Sequence, residues 1–475
     1  MRMNGKIIKA FLLTTLMVST IASCGNKQKP REEGSLAILA YNGGYGTEWL
    51  EDICLKFEEE TGISVSYATD ATILDKMDSQ LVDVSDYDIY MSHGIAWQNY
   101  AERGLLANLD DLYESDVGGG KKFKDRFASD PSAYSKYKNE EGEEHYYKVA
   151  FTQGAGGIVY NIDMFEKNGW AVPETYDELV TLCDKIVAAG IVPFAWAGSG
   201  QNRDYYWDYP IYEWWAEMDG VDKINDWLTF KGADGTYKNG YDNFDPSGKY
   251  ANFKKAYQMW YDLIAAKPQN SNDRAYGTTL STAQAMFFNQ EAAMIPYGQW
   301  AKHEIEKAMG KEFTFDVAMM HTPKVNKSSK NYNFMVGFGD SMIVPENSPN
   351  KEAAKDFLRF MSGEYACKAF VEKADGPFLS FDYSTIDMTD LNNSSTYIKS
   401  IYDILTKSVN FSTASNSPIL VLNGDTKIQP WFNNERYYSA ALQKPSANTP
   451  DEVMKKLYES AKNSWPSICR TAGVQ

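Results

Sequence analysis

Histidine and cysteine are scarce in this chain, with four and five copies in 475 residues. His93, His145, His303 and His321 are far apart in sequence. No HExxH, CxxC or mixed Cys/His spacing occurs, so no metal centre is marked and no cofactor is expected. GxSxG and Walker loops are missing as well. Gly44-Tyr45-Gly46 lacks the third glycine of a dinucleotide fingerprint. Positive charge is in deficit, 47 Lys and Arg against 64 Asp and Glu, for a net charge of −17. That argues against nucleic acid and against an electrostatically held anionic membrane, and suits a neutral or cationic ligand. Beyond Cys24 no stretch approaches the roughly 18 consecutive apolar residues of a membrane helix. Internal repeats and low-complexity tracts are absent.

What is present begins with an export signal. Arg2, Lys6 and Lys9 form a positive start, Ala10 to Ile21 an apolar stretch, and Ile21-Ala22-Ser23 a small-residue approach to Cys24. Residues 1–23 therefore read as a signal peptide. Its removal takes away three positive charges and no acids, moving the net charge from −17 to −20. Ile-Ala-Ser-Cys resembles a bacterial lipobox, which implies a diacylated Cys24, and residues 24–34 are a polar tether of the kind a lipid anchor requires. The expected location is the outer face of the bacterial cell membrane. Of the remaining cysteines, Cys54 and Cys183 fall on apolar helix faces and read as small buried hydrophobes rather than disulfide partners.

After the tether the pattern becomes α/β. Ser35 to Tyr41 reads as a strand ending in the turn Asn42-Gly43-Gly44-Tyr45-Gly46. Trp49, Leu50, Ile53, Cys54 and Phe57 then mark one face of a helix stopped by Gly62. Ile63 to Ala68, a short helix, and Tyr87 to Met91 follow. Strand, helix, strand, helix, strand implies a parallel sheet with right-handed crossovers. Ligands of such sheets bind beyond the carboxyl ends of the strands, which places Asn42, Asp70 and His93 on one rim. Tyr146 to Thr152 reads as a further strand leading into Gln153-Gly154-Ala155-Gly156-Gly157.

The stretch Tyr160–Gly200 is the most legible. Thr175 and Glu178 stand at capping-box spacing. Leu179, Leu182, Cys183, Ile186 and Val187 form an apolar stripe, Gly190 is the expected left-handed stop, and a short buried strand runs to Phe194. Tyr160, Asn161, Phe165, Gly169, Pro173, Thr175, Tyr176, Asp177, Glu178 and Leu179 resemble the central signature of the family 1 extracellular solute-binding proteins of sugar ABC importers. Tyr176 stands where that family usually has Trp. Phe287, Ala292, Ala293 and Met294, followed by Gly298 and Trp300, resemble a second motif, with Gln290 in place of its usual glycine. Gly337 to Ser341 and the helix around Asn350, Ala353, Ala354 and Phe357 resemble a third.

The resemblance implies a two-lobed, type II periplasmic-binding-protein-like α/β fold, each lobe a mainly parallel sheet. The lobes are expected at 35–150 with 291–342, and at 151–290 with 343–475, joined by crossing strands that include the Gln153 segment. It also implies hinge closure over an oligosaccharide, delivery to ABC permease subunits, no catalysis and a monomeric state. The expected ligand contacts are Asn42, Asp70, His93, Gln153, Trp196, Tyr206, Trp207, Trp300, Phe338 and Asp340. Residues 205–215 carry seven aromatics in eleven positions, which suits either a stacking platform for sugar faces or the core of a helix. Two other readings stand beside this one. A receptor for a cationic ligand such as a polyamine would use the same aromatics through cation–π contacts. A secreted glycoside hydrolase would need a carboxylate pair that no motif marks.

Overall fold

The computed structural model describes residues 34–83, 85–199, 204–334, 340–388, 394–412, 417–421 and 435–474. The signal peptide, Cys24, nearly all of the tether, and Phe338 lie outside the described residues.

Two sheets organise the chain. The first has the strand order Ser64–Asp70, Ser35–Tyr41, Ile89–Ser92, Ser341–Ile343, Val149–Ala150. Its first three strands are parallel, as the βαβ pattern requires, and Ser341–Ile343 lies antiparallel between the two neighbours. The second has the order Val317–Met320, Gly156–Asn161, Ala292–Gly298, Val192–Phe194. The expected type II two-lobed α/β architecture is present, but the second sheet is mixed rather than mainly parallel. Gly156–Asn161 enters from the hinge and points away from it. Ala292–Gly298 runs back toward the hinge, so the two must pair antiparallel.

Sheet membership corrects the expected lobe boundaries. Ala292–Gly298 does not return the chain to the first lobe; it pairs in the second sheet with Gly156–Asn161 and Val192–Phe194. The return comes later, between Phe334 and Ser341. Residues after 343 do not then all belong to the second lobe. Helices Lys351–Met361 and Glu364–Ala374 pack on the first, with Phe57 meeting Phe357 at 5.2 Å and Trp49 meeting Phe370 at 5.0 Å between ring centroids. The chain crosses a third time before helix Thr396–Lys407, where Ser400 Oγ accepts from Met319 N at 3.0 Å. An amphipathic stripe states that a helix buries a face, not which sheet receives it.

Local signals were followed closely. Thr175 Oγ1 accepts from Glu178 N at 3.3 Å, and Glu178 Oε2 accepts from Thr175 N at 3.3 Å, opening helix Tyr176–Ala188. Thr175→Ala should cost about 1 kcal/mol, read from urea unfolding. Gly190 adopts φ +76° as the helix stop. Gln290, in the position the family fills with glycine, still takes the left-handed conformation, at φ +63°. The turn is thus retained at a cost that glycine does not incur. Gln290→Gly should therefore raise the unfolding free energy by about 0.5–1 kcal/mol, and a loss instead would show that the Gln290 side chain stabilises the turn.

Cys54, Cys183, Cys367 and Cys469 are free and buried. Burial pushes the thiols of Cys183 and Cys367 up to about 12, so they pack as inert hydrophobes.

Candidate functional site

The aromatic run resolves mainly into core. Helix Asp208–Asp219 buries Trp214 and Trp215, whose indole N–H groups donate to Pro323 O at 2.8 Å and Asp219 Oδ2 at 2.9 Å. Trp207 is 0% exposed and packs on Phe194 at 5.1 Å; Trp196 is 1% exposed and packs on Trp260 at 6.0 Å. Neither indole can reach a ligand without unpacking the second lobe, so Trp196 and Trp207 are corrected to core residues. Gln153 is also structural. Its Nε2 donates to Leu379 O and Phe381 O at 3.0 and 2.6 Å, tying the first crossing to the third.

Two of the three rim residues behave differently from the third. Asp70 accepts from Thr72 N, Thr72 Oγ1 and Lys76 Nζ at 2.7–2.8 Å, and these partners hold its carboxyl down at about 2. It serves as a turn and helix-start residue, with two bonds on Oδ1 and one on Oδ2. Asn42 is exposed and its Oδ1 accepts from Lys307 Nζ at 3.1 Å. His93 is exposed at the end of its strand and stands edge-on to Tyr41, with ring centroids 4.4 Å apart.

The remaining expected residues converge. Asp340, on the second crossing, accepts from Tyr45 OH at 2.6 Å and from Thr152 Oγ1 at 2.8 Å, both on Oδ2. Its other oxygen accepts no hydrogen bond among the described residues. Burial pushes this carboxyl up, while the two hydroxyls and the charges of His93 and Lys148 pull it down. Tyr45 meets Trp300 at 6.1 Å, and Trp300 meets Tyr206 at 6.3 Å. Tyr206 is buried and stacks on Tyr297 at 4.4 Å and 22°. Tyr297 OH donates to Glu304 Oε2 at 2.9 Å.

The outcome is a half-buried surface at the junction of the lobes. The first lobe supplies Tyr41, Tyr45 and His93, the crossings Thr152 and Asp340, and the second lobe Trp300 backed by Tyr206 and Tyr297. Aromatic faces beside a buried acid can bind a ring with an apolar face and a polar edge. Among the described residues, no group of three or more His, Cys, Asp or Glu could hold a metal ion. Tyr41, Tyr45, Thr152, Tyr297 and Glu304 were not singled out from the sequence. Tyr41 precedes the glycine turn at a parallel strand's carboxyl end and Tyr45 lies within it, which was a usable signal. Thr152, Tyr297 and Glu304 carry none apart from neighbouring known motifs.

Comparison with known proteins adds an independent line. The sequence profile described as "Bacterial extracellular solute-binding protein" matches residues 43–365. The diacetylchitobiose binding protein NgcE of Streptomyces coelicolor is 23% identical over 383 residues, 73% of this chain and 70% of that one. A multiple sugar-binding protein of Streptococcus mutans is 26% identical over 245 residues, 51% of this chain and 53% of that one. The apo form of RafE from Streptococcus pneumoniae superposes with a TM-score of 0.66 at 16% identity, covering 93% of this chain and all of the other. The GacH receptor of Streptomyces glaucescens superposes with a TM-score of 0.62 at 18% identity, covering 92% of this chain and 99% of the other. At these identities the solved structures establish the fold.

Proposed function

The chain belongs to the bacterial extracellular solute-binding protein family, and from that premise we propose that it captures an oligosaccharide between its lobes for an ABC importer. The observation that carries this reading is the site's composition from both lobes and the crossings between them. A ligand touching Tyr41, Asp340 and Trp300 together gains contacts only when the lobes are close. It therefore favours closure by its differential affinity for that state. Trp300 stacks on a pyranose face, and the second carboxylate oxygen of Asp340 accepts from a sugar hydroxyl. His93 and Tyr45 border the same space.

The rest of the reading follows from the family and the N-terminal pattern. The protein acts as a receptor rather than a hydrolase, hands its ligand to permease subunits, works as a monomer, and is held outside the cell by lipid on Cys24. Among the described residues, no helix is long and apolar enough to cross a membrane.

Thermal unfolding of the mature chain tests the ligand class, because a ligand that binds only the native state raises the midpoint. Oligosaccharides should raise it and polyamines should not. A rise with polyamines alone overturns the carbohydrate reading, and product release from a bound glycan overturns the receptor reading.

A further inference from the structure

Trp300 is constrained on several sides by residues outside the ligand contacts. Beneath its six-membered ring lies Gly298, where a Cβ would come within 2.5 Å of Cη2. Gly44, in the first-lobe turn, leaves its own Cβ position 3.0 Å from Trp300 Cδ1. The indole is thus seated between backbone of two different lobes. Glu304 stands one helical turn later, its backbone N–H donating to Trp300 O at 3.0 Å. Its carboxylate is half-buried and is bonded by Tyr297 OH at 2.9 Å, and Tyr297 OH accepts in turn from Gln284 Nε2 at 2.8 Å. Burial pushes this carboxyl up, while Tyr297, Lys307 and the neighbouring Trp300 indole favour its charged form. One acid therefore joins Trp300 to the stacked pair Tyr297 and Tyr206.

We propose that Gly44 and Glu304 are positioning residues that set the orientation of the Trp300 ring, and through it the preference for sugars presenting a continuous C–H face. This rests on the reading of the cleft as a sugar site. A stacked pyranose gains from C–H bonds aimed at the negative face of the ring, so a rotated indole forfeits most of the contact. Negative charge at the N–H edge adds to that polarity. Because Gly44 belongs to the other lobe, the ring is held only while the lobes keep this relation. A side chain at Gly44 would tighten the 3.0 Å approach, and the indole has to give.

Indole 1H–15N spectra of the mature chain test the proposal, with the Trp300 peak assigned by its loss in Trp300→Phe. Gly44→Ala and Glu304→Gln should each move that peak more than any other indole peak. In wild type the peak should titrate with pH, and in Glu304→Gln it should not. Maltotriose, raffinose and diacetylchitobiose serve as binding probes. For whichever binds, each substitution should weaken affinity about 10-fold alone and add little in the Trp300→Phe background, because coupled residues are not additive. A merely structural role would instead give additive losses. An unmoved Trp300 peak, or additive losses, overturns the proposal. If none of the three sugars binds, or Trp300→Phe binds them as wild type does, the sugar-site reading fails instead, and the peak alone decides whether the two residues position the ring.

Discussion

Wild-type protein should lose stability between pH 5 and pH 7, and Glu213→Gln should abolish most of that loss. Glu213 lies on helix Asp208–Asp219, is 4% exposed, and accepts from Phe334 N at 2.7 Å. Burial pushes its carboxyl from 4.5 up to about 8, outweighing the Phe334 amide bond and the nearby Thr322 hydroxyl that act the other way. The folded protein therefore keeps a proton that the unfolded chain releases above about 4.5. Stability is full below that value and is lost progressively as pH rises toward about 8. Over the two units from pH 5 to 7 the loss is about 2–3 kcal/mol.

Glutamine keeps an acceptor for Phe334 N and has no proton to lose, so its stability should be flatter by that amount. Urea unfolding of both proteins at pH 5 and pH 7 measures the difference, and parallel behaviour would contradict a buried, neutral Glu213. The window stops at pH 7 because Lys148 takes over above it. Burial depresses that amine to about 7, so between there and 10.5 the unfolded chain binds more protons and stability rises with pH. Phe334 ends the strand that leads into the second crossing, so Glu213 also bears on how that crossing is held.

The second large effect is expected at Asp340. Asp340→Ala should lower stability by about 3 kcal/mol and weaken oligosaccharide binding about 100-fold. The stability loss has two sources. Tyr45 OH and Thr152 Oγ1 lose their shared acceptor, and Lys148, buried with its amine 5.1 Å from the Trp97 ring, loses the negative charge that favours its protonated form. On the proposed reading the binding loss adds the second oxygen, which accepts no bond among the described residues, as the acceptor of a ligand hydroxyl. Asp340→Asn keeps the shape and one acceptor, and should fall between the two. Calorimetric titration beside urea unfolding separates the effects. Unfolding weakened with binding unchanged would confine Asp340 to the hinge.

Tyr160–Gly200 shows where sequence reading succeeds. The Thr175–Glu178 box, the stripe from Leu179 to Ile186 and the stop at Gly190 depend on neighbours three or four residues apart, and each is realised. The same locality explains the failures. Trp196 and Trp207 sit beside glycine-serine and aromatic segments that suit a binding loop, yet both are sealed in the second lobe. Aromatic composition is identical for a sugar platform and a core, and only the surrounding shell distinguishes them. Asp70 has partners that sequence reading missed: Thr72 and Lys76 bond its oxygens.

By itself the sequence determined the α/β pattern, the helix caps and the buried state of Cys54 and Cys183, which follow from spacing and composition, and its motifs resembled the family that the profile match shows. The tertiary structure alone decided which lobe owns Ala292–Gly298 and the helices after Pro345. It also decided that Tyr41, Tyr45, Thr152, Trp300 and Asp340 share one surface. Those contacts join residues up to 295 positions apart, as Tyr45 and Asp340 are. They arise from crossings between two sheets, where the partner of each side chain is set by register and packing rather than by its neighbours in the chain.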